Sequence, residues 1–254
     1  MSKGNLNIAG NATIPEGEYN CIKVMGNAKT EGNVTAEELT VSGNAEITND
    51  LEAGKVVIHG NATVKGCLRA DYIKVNGNLK VEGGIEAGTL IVNGDGYVKE
   101  SSRCKEASIK GDLHVDSLFN AMELKIYGNL YSGSDLTGEN IVIRGKIRCD
   151  GLLNAENITV YSYTKSYCKE IGASNVSIIR PNFFARLFSF GQDTFHGDQI
   201  EGDSLSLEKV AFQTVRGKSV KIAKHSKVDK VEYTKEIFIS KDSEVGSTEK
   251  VGDE

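Results

Sequence analysis

Tryptophan is absent from this 254-residue chain, proline occurs only at Pro15 and Pro181, and no apolar run approaches the roughly 20 residues of a bilayer-spanning helix. The stretch Met1 to Asn11 has neither the basic start nor the apolar centre of a signal peptide, so the expected location is the cytoplasm. Five cysteines (Cys21, Cys67, Cys104, Cys149 and Cys168) are an odd number, widely spaced and without a CxxC or Cys/His cluster, which argues against a disulfide framework or a zinc site. They are expected to be reduced thiols with no special role. The formal charge of −5 is spread along the chain, so no basic stripe of the kind that nucleic acid requires is expected.

What the chain does have is glycine, 28 residues of it, together with many Val, Ile, Asn and Thr, the mixture of many short strands joined by tight turns. Glycine stands at 26, 43, 60, 77, 94, 111, 128 and 145, a constant interval of 17. In seven of these eight the next residue is Asn or Asp; Lys146 is the exception, and Gly10 with Asn11 opens the series one residue out of step. A fixed period of this length predicts a solenoid.

Each period carries three pairs of apolar residues with one residue between the members of a pair. Leu39 and Val41 precede Gly43, Ala45 and Ile47 follow it, and Leu51 and Ala53 come before Val56 and Ile58 of the next period. Alternate side chains on a strand share a face, so each pair predicts a short strand with two inward side chains, and three such strands predict one triangular coil of an all-β parallel β-helix. Some ten coils are expected from Leu6 to about Val160, a rod of roughly 50 Å at about 4.8 Å per coil. The Gly-Asn pair is expected at a corner, with glycine there to reach positive φ and the Asn side chains stacked in a hydrogen-bonded ladder. An antiparallel meander would need hairpin dipeptides such as Asn-Gly at 8 to 12 residues, whereas the repeated dipeptide is Gly-Asn with three strands per period.

The repeat weakens around Tyr161 to Arg180, where Ser162 replaces the expected glycine. The domain reading is a main solenoid over 1–179, an aromatic connecting segment over 180–199, further coils over 200–246 and a charged tail over 247–254. Phe183, Phe184, Leu187 and Phe188 have helical spacing, which predicts a short amphipathic helix that either covers the solenoid or touches a membrane or a partner. After Gly197 the paired pattern resumes, with Val220 to Ile237 again 17 apart.

Catalysis is not expected. The four histidines lie far apart, and carboxylates such as Glu37, Glu38, Glu52 and Glu86 fall on outward positions, where charge keeps a rod soluble. Left-handed β-helical acyltransferases have 18-residue coils and a catalytic histidine, and β-helical polysaccharide lyases have longer coils with a cleft; this chain has neither pattern. No cofactor or metal is expected. The ends of a β-helix expose strand edges over a core cross-section, so end coils are expected to join one another, with Leu6, Ile8, Ile237, Ile239 and Val245 at the contact.

The openings Gly26-Asn27 to Gly32, Gly60-Asn61 to Gly66 and Gly77-Asn78 to Gly83 resemble coils of the bactofilins, bacterial polymer-forming cytoskeletal proteins. The stretch Ile200 to Asp203, with Val215 to Gly217, Val220 to Ile222 and Val231 to Tyr233, is similar to the C-terminal part of the longer members. The resemblance implies a right-handed parallel β-helix, nucleotide-independent filaments built from copies of the chain, pairing with a related bactofilin, and peripheral contact with the inner face of the cell membrane. It also implies a scaffold for cell shape, envelope or appendage assembly. The alternative from the fold alone is a non-polymerising adaptor that binds partner proteins on flat faces.

Overall fold

The computed structural model describes residues 4–180 and 194–252. It is an all-β parallel solenoid of about 14 turns, with no helix among the described residues. The amphipathic helix expected over Phe183 to Phe188 therefore has no counterpart there, and residues 181–193 themselves lie outside the described residues. The chain divides into two compact units, Met1–Ala121 and Met122–Glu254.

In the first unit the 17-residue period appears as alternating long and short strands. Leu51–Ile58, Leu68–Val75 and Ile85–Val92 each have eight residues, and Asn44–Ile47, Asn61–Val64 and Asn78–Val81 each have four. Strands pair in parallel with their equivalents one coil away, Leu51 against Leu68 and Asn61 against Asn78. The inward pairs are those read from the sequence: Leu51, Ala53, Val56, Ile58, Ala62 and Val64 are all buried. Two of the three expected strands are fused, because two successive outward residues, such as Gly54 and Lys55, bend the chain while hydrogen bonding continues through the bend. A coil thus has three faces and two strands.

Each coil stacks aliphatic side chains on like ones, so burial accumulates along the stack and no coil needs to be stable alone. The first coil is one residue short, with Asn11 opposite Asn27 and Gly17 opposite Val34. The deficit falls in the turn at Pro15 and Glu16, which leaves the Gly10 corner in line with the others.

The corner glycines do not have the conformation expected of them. Among the described glycines only Gly17 has positive φ, at 158°, which is extended backbone, whereas the left-handed residues are Lys209 and His225. The requirement is one of space. A Cβ on Gly43, Gly60, Gly77, Gly94 or Gly111 would overlap the carbonyl oxygen of the glycine one coil earlier. The amides pass the corner by bonding to that coil, as in Ser42 N–H to Val24 O at 2.7 Å and Asn44 N–H to Gly26 O at 2.9 Å.

In the second unit the strands lengthen until they run through the corners. Lys146–Tyr161 has 16 residues, Ser166–Ile179 has 14, and Phe195–Leu207, Val210–Ile222 and Lys227–Ile239 have 13 each. Ser162 is tolerated where glycine is the rule because two extra residues widen that corner: Val160 sits one coil above Ile143, yet Tyr167 sits above Arg148. Pairing resumes at Phe195, within the stretch read as a connector, and Glu244–Lys250 is a strand that enters the stretch read as a tail. Fully buried Phe195 lies against Phe212, with ring centroids 6.2 Å apart.

Candidate assembly surfaces

The outermost described coil of the first unit consists of Gly4–Ile8 and Asn11–Ile14, which pair only with Gly17–Val24 and Asn27–Thr30. Among the described residues, their other edges carry unpaired backbone N–H and C=O groups. Leu6 is half-buried, whereas Ile8 and Ile14 are buried. The two residues expected at this contact therefore differ: Ile8 faces the core and Leu6 reaches the surface.

At the far end of the second unit, Lys227–Ile239 pairs with Val210–Ile222 along its length, but the last strand, Glu244–Lys250, covers only Lys227 to Tyr233. The outer edge of 236–239 has no strand partner among the described residues. Ile237, Ile239 and Val245 are each half-buried, although their equivalents one coil earlier, Val220, Ile222 and Val228, are fully buried. Phe238, on the outward side of the same segment, is 58% exposed. The three C-terminal residues predicted for the interface are thus gathered on one open coil. Phe183, Phe184, Leu187 and Phe188 lie outside the described residues.

A charged network ties the last strand down. Glu232 accepts hydrogen bonds from Arg216 Nε at 2.6 Å and Lys230 Nζ at 2.7 Å, and Lys230 also reaches Glu249 at 2.9 Å. The bonds from Lys230 and then Arg216 hold the Glu232 carboxyl below its ordinary value of 4.5. A carboxyl whose pKa is depressed on folding contributes stability that is complete above the unfolded value and is lost as the pH falls through the folded one. Protection of the Glu244–Lys250 amides, corrected for intrinsic exchange, is expected to fall on acidification below 4.5, and Glu232→Gln is expected to remove that dependence. Protection that stays constant in the parent protein would refute the role given to this network.

His59 meets Asn76, His114 meets Asp116, and Tyr167 lies beside the His196 ring, three separate settings. The hydrogen bond from the Tyr97 hydroxyl to Asp116 lowers the Asp116 pKa and raises that of Tyr97, but the pair sits on an open surface. Among the described residues no three His, Cys, Asp or Glu side chains converge as metal ligands would. The concavities are open grooves, such as one of about 550 Å³ beside Cys67, Arg69 and Ser101.

Sequence reasoning missed two juxtapositions in the second unit. Cys149 and Cys168 are buried neighbours on successive coils, and the Cys168 bond lowers the Cys149 thiol while burial raises that of Cys168. Tyrosine and arginine also alternate at one corner, with Tyr127, Arg144 and Tyr161 spaced at the repeat interval. Tracking residue types column by column at 17 would have found the second. The first is hidden by the two-residue widening beside Ser162.

No family model matches this chain, and no curated protein or solved structure matches it. No helix among the described residues is long and apolar enough to cross a membrane.

Proposed function

We propose that this protein is a structural scaffold whose copies join end to end through their open coils, forming filaments without nucleotide or metal. The observation that carries this reading is the half-buried set Ile237, Ile239 and Val245 beside an unpaired strand edge. Stacking a second coil there would continue the parallel sheets and remove apolar surface from water, both favourable to association. The bactofilin-like Gly-Asn coils support the same reading and extend it to a cytoplasmic scaffold at the inner face of the membrane that serves cell shape or envelope assembly, with no enzymatic activity.

Negative-stain electron microscopy and sedimentation of the purified chain, without nucleotide or metal, test the proposal. Filaments that pellet are expected, and Ile239→Lys is expected to disperse them while the β-sheet circular dichroism persists. Ile8→Lys should act in the same way from the other unit. A monodisperse monomer across salt and protein concentration would overturn the scaffold reading, and filaments that survive both substitutions would overturn the end-to-end contact.

A further inference from the structure

One corner of the second unit differs in composition from the rest of the chain. Residues 125–131, 142–148 and 159–167 cross it on three successive coils. They contain five of the chain's nine tyrosines (Tyr127, Tyr131, Tyr161, Tyr163 and Tyr167) and neither Asp nor Glu, in a protein with 35 acidic residues. The middle coil contributes Arg144, Lys146 and Arg148, all exposed and at alternate positions.

The tyrosines fix the cations in place. The Arg144 guanidinium lies 4.7 Å from the centroid of the Tyr161 ring and 5.9 Å from that of Tyr127, so it is held between two ring faces. Arg148 is held likewise, 5.9 Å from Tyr131 and 5.7 Å from Tyr167, and Asp150 steadies this second stack by accepting from Arg148 Nε at 2.9 Å and from the Tyr131 hydroxyl at 3.0 Å. Arg144 forms no ion pair with a carboxylate among the described residues. Its guanidinium is confined between the two rings, and the ordering cost of binding a planar oxyanion is reduced accordingly.

We infer that this corner is a docking site for an acidic peptide segment of a partner protein, whose carboxylates meet Arg144 and Lys146. The chain bends at Arg144 and Gly145, between the strands Asn140–Ile143 and Lys146–Tyr161, so Arg144 stands in the corner with exposed Lys146 just beyond it. Charge complementarity is local, since no acidic residue falls within the three corner segments and the neighbouring Asp150 is taken up by Arg148 and Tyr131. Single-stranded nucleic acid fits less well, because it needs several free aromatic faces for base stacking, and four of the five rings here are engaged by guanidinium groups. The site is remote in sequence from the residues proposed for filament contacts, so substitutions in it leave the end coils unchanged.

The test is fluorescence anisotropy with a labelled octapeptide of alternating serine and glutamate, against the same peptide with glutamine in place of glutamate. The glutamate peptide is expected to bind the parent chain more tightly than the glutamine peptide, and to lose at least tenfold in affinity with Arg144→Ala. Arg144→Lys, which keeps the charge and loses the fork, should lose an intermediate amount, and thermal unfolding by circular dichroism should be unchanged in both variants. Equal affinity for the two peptides, or equal affinity of parent and Arg144→Ala, would overturn the inference. So would tighter binding to oligothymidylate or to phosphatidylserine vesicles than to the glutamate peptide.

Discussion

Gly60→Ala is expected to destabilise the first unit by more than about 3 kcal/mol, a large loss for a change of one methyl group. The added Cβ would coincide with the Gly43 carbonyl oxygen, which belongs to backbone fixed by its own ladder bonds and cannot move aside as a side-chain tip could. The neighbouring coils would have to separate at that corner, lengthening the bonds from His59 N–H to Val41 O (2.7 Å) and from Asn61 N–H to Gly43 O (2.9 Å). The internal control is Gly10→Ala at the equivalent corner of the first coil, where a Cβ would meet nothing within 4 Å. That substitution should be neutral or slightly stabilising, since alanine restricts the unfolded chain. Urea denaturation of the two variants checks the contrast; equal midpoints would show that close approach is not the reason for glycine.

Phe195→Ala is expected to cost about 3–5 kcal/mol, the range for truncating a fully buried aromatic side chain. Phe195 has no accessible surface, and it stacks on Phe212 and lies above Ser166 in register, so the surrounding coils have no easy way to close the space. Phe238→Ala, at a ring 58% exposed, should change stability by less than about 0.5 kcal/mol. Hydrogen exchange localises the effect: the Phe195 variant should lose protection in Phe195–Leu207 and Val210–Ile222. Similar losses from the two substitutions would mean that Phe195 is not part of a close-packed core.

The coil was legible in the sequence because its two determinants are local: alternation places pairs such as Leu68 and Ala70 inward, and the period aligns Leu68 with Ile85. The Asn ladder was legible for the same reason. The cause of the corner glycines was not, since it is an approach between residues 17 apart and glycine has more than one use at a turn. The fusion of two strands into one was hidden because two outward residues in succession look like a gap, and only the ladder of backbone bonds shows that pairing continues. In the second unit the spacing itself changes. Val176 lies one coil from Ile158 and Leu205 one coil from Val220, so columns counted at 17 drift out of alignment. The tyrosine and arginine corner lies where that drift begins.

The asparagine ladder gives the first unit a direction. Asn27 donates from Nδ2 to Asn11 Oδ1, and Asn44, Asn61 and Asn78 each donate to the one before at 2.7–2.9 Å. Each amide is thus an arrow pointing the same way, and reversing one would set donor against donor on one side and acceptor against acceptor on the other. Five residues share a single choice of orientation. The run stops where the next rung is Asp95, whose side chain has no amide N–H to give to Asn78 Oδ1. One element of the side-chain code thus acts as a full stop, and the length of the polar seam is counted out by the sequence much as a ruler is marked.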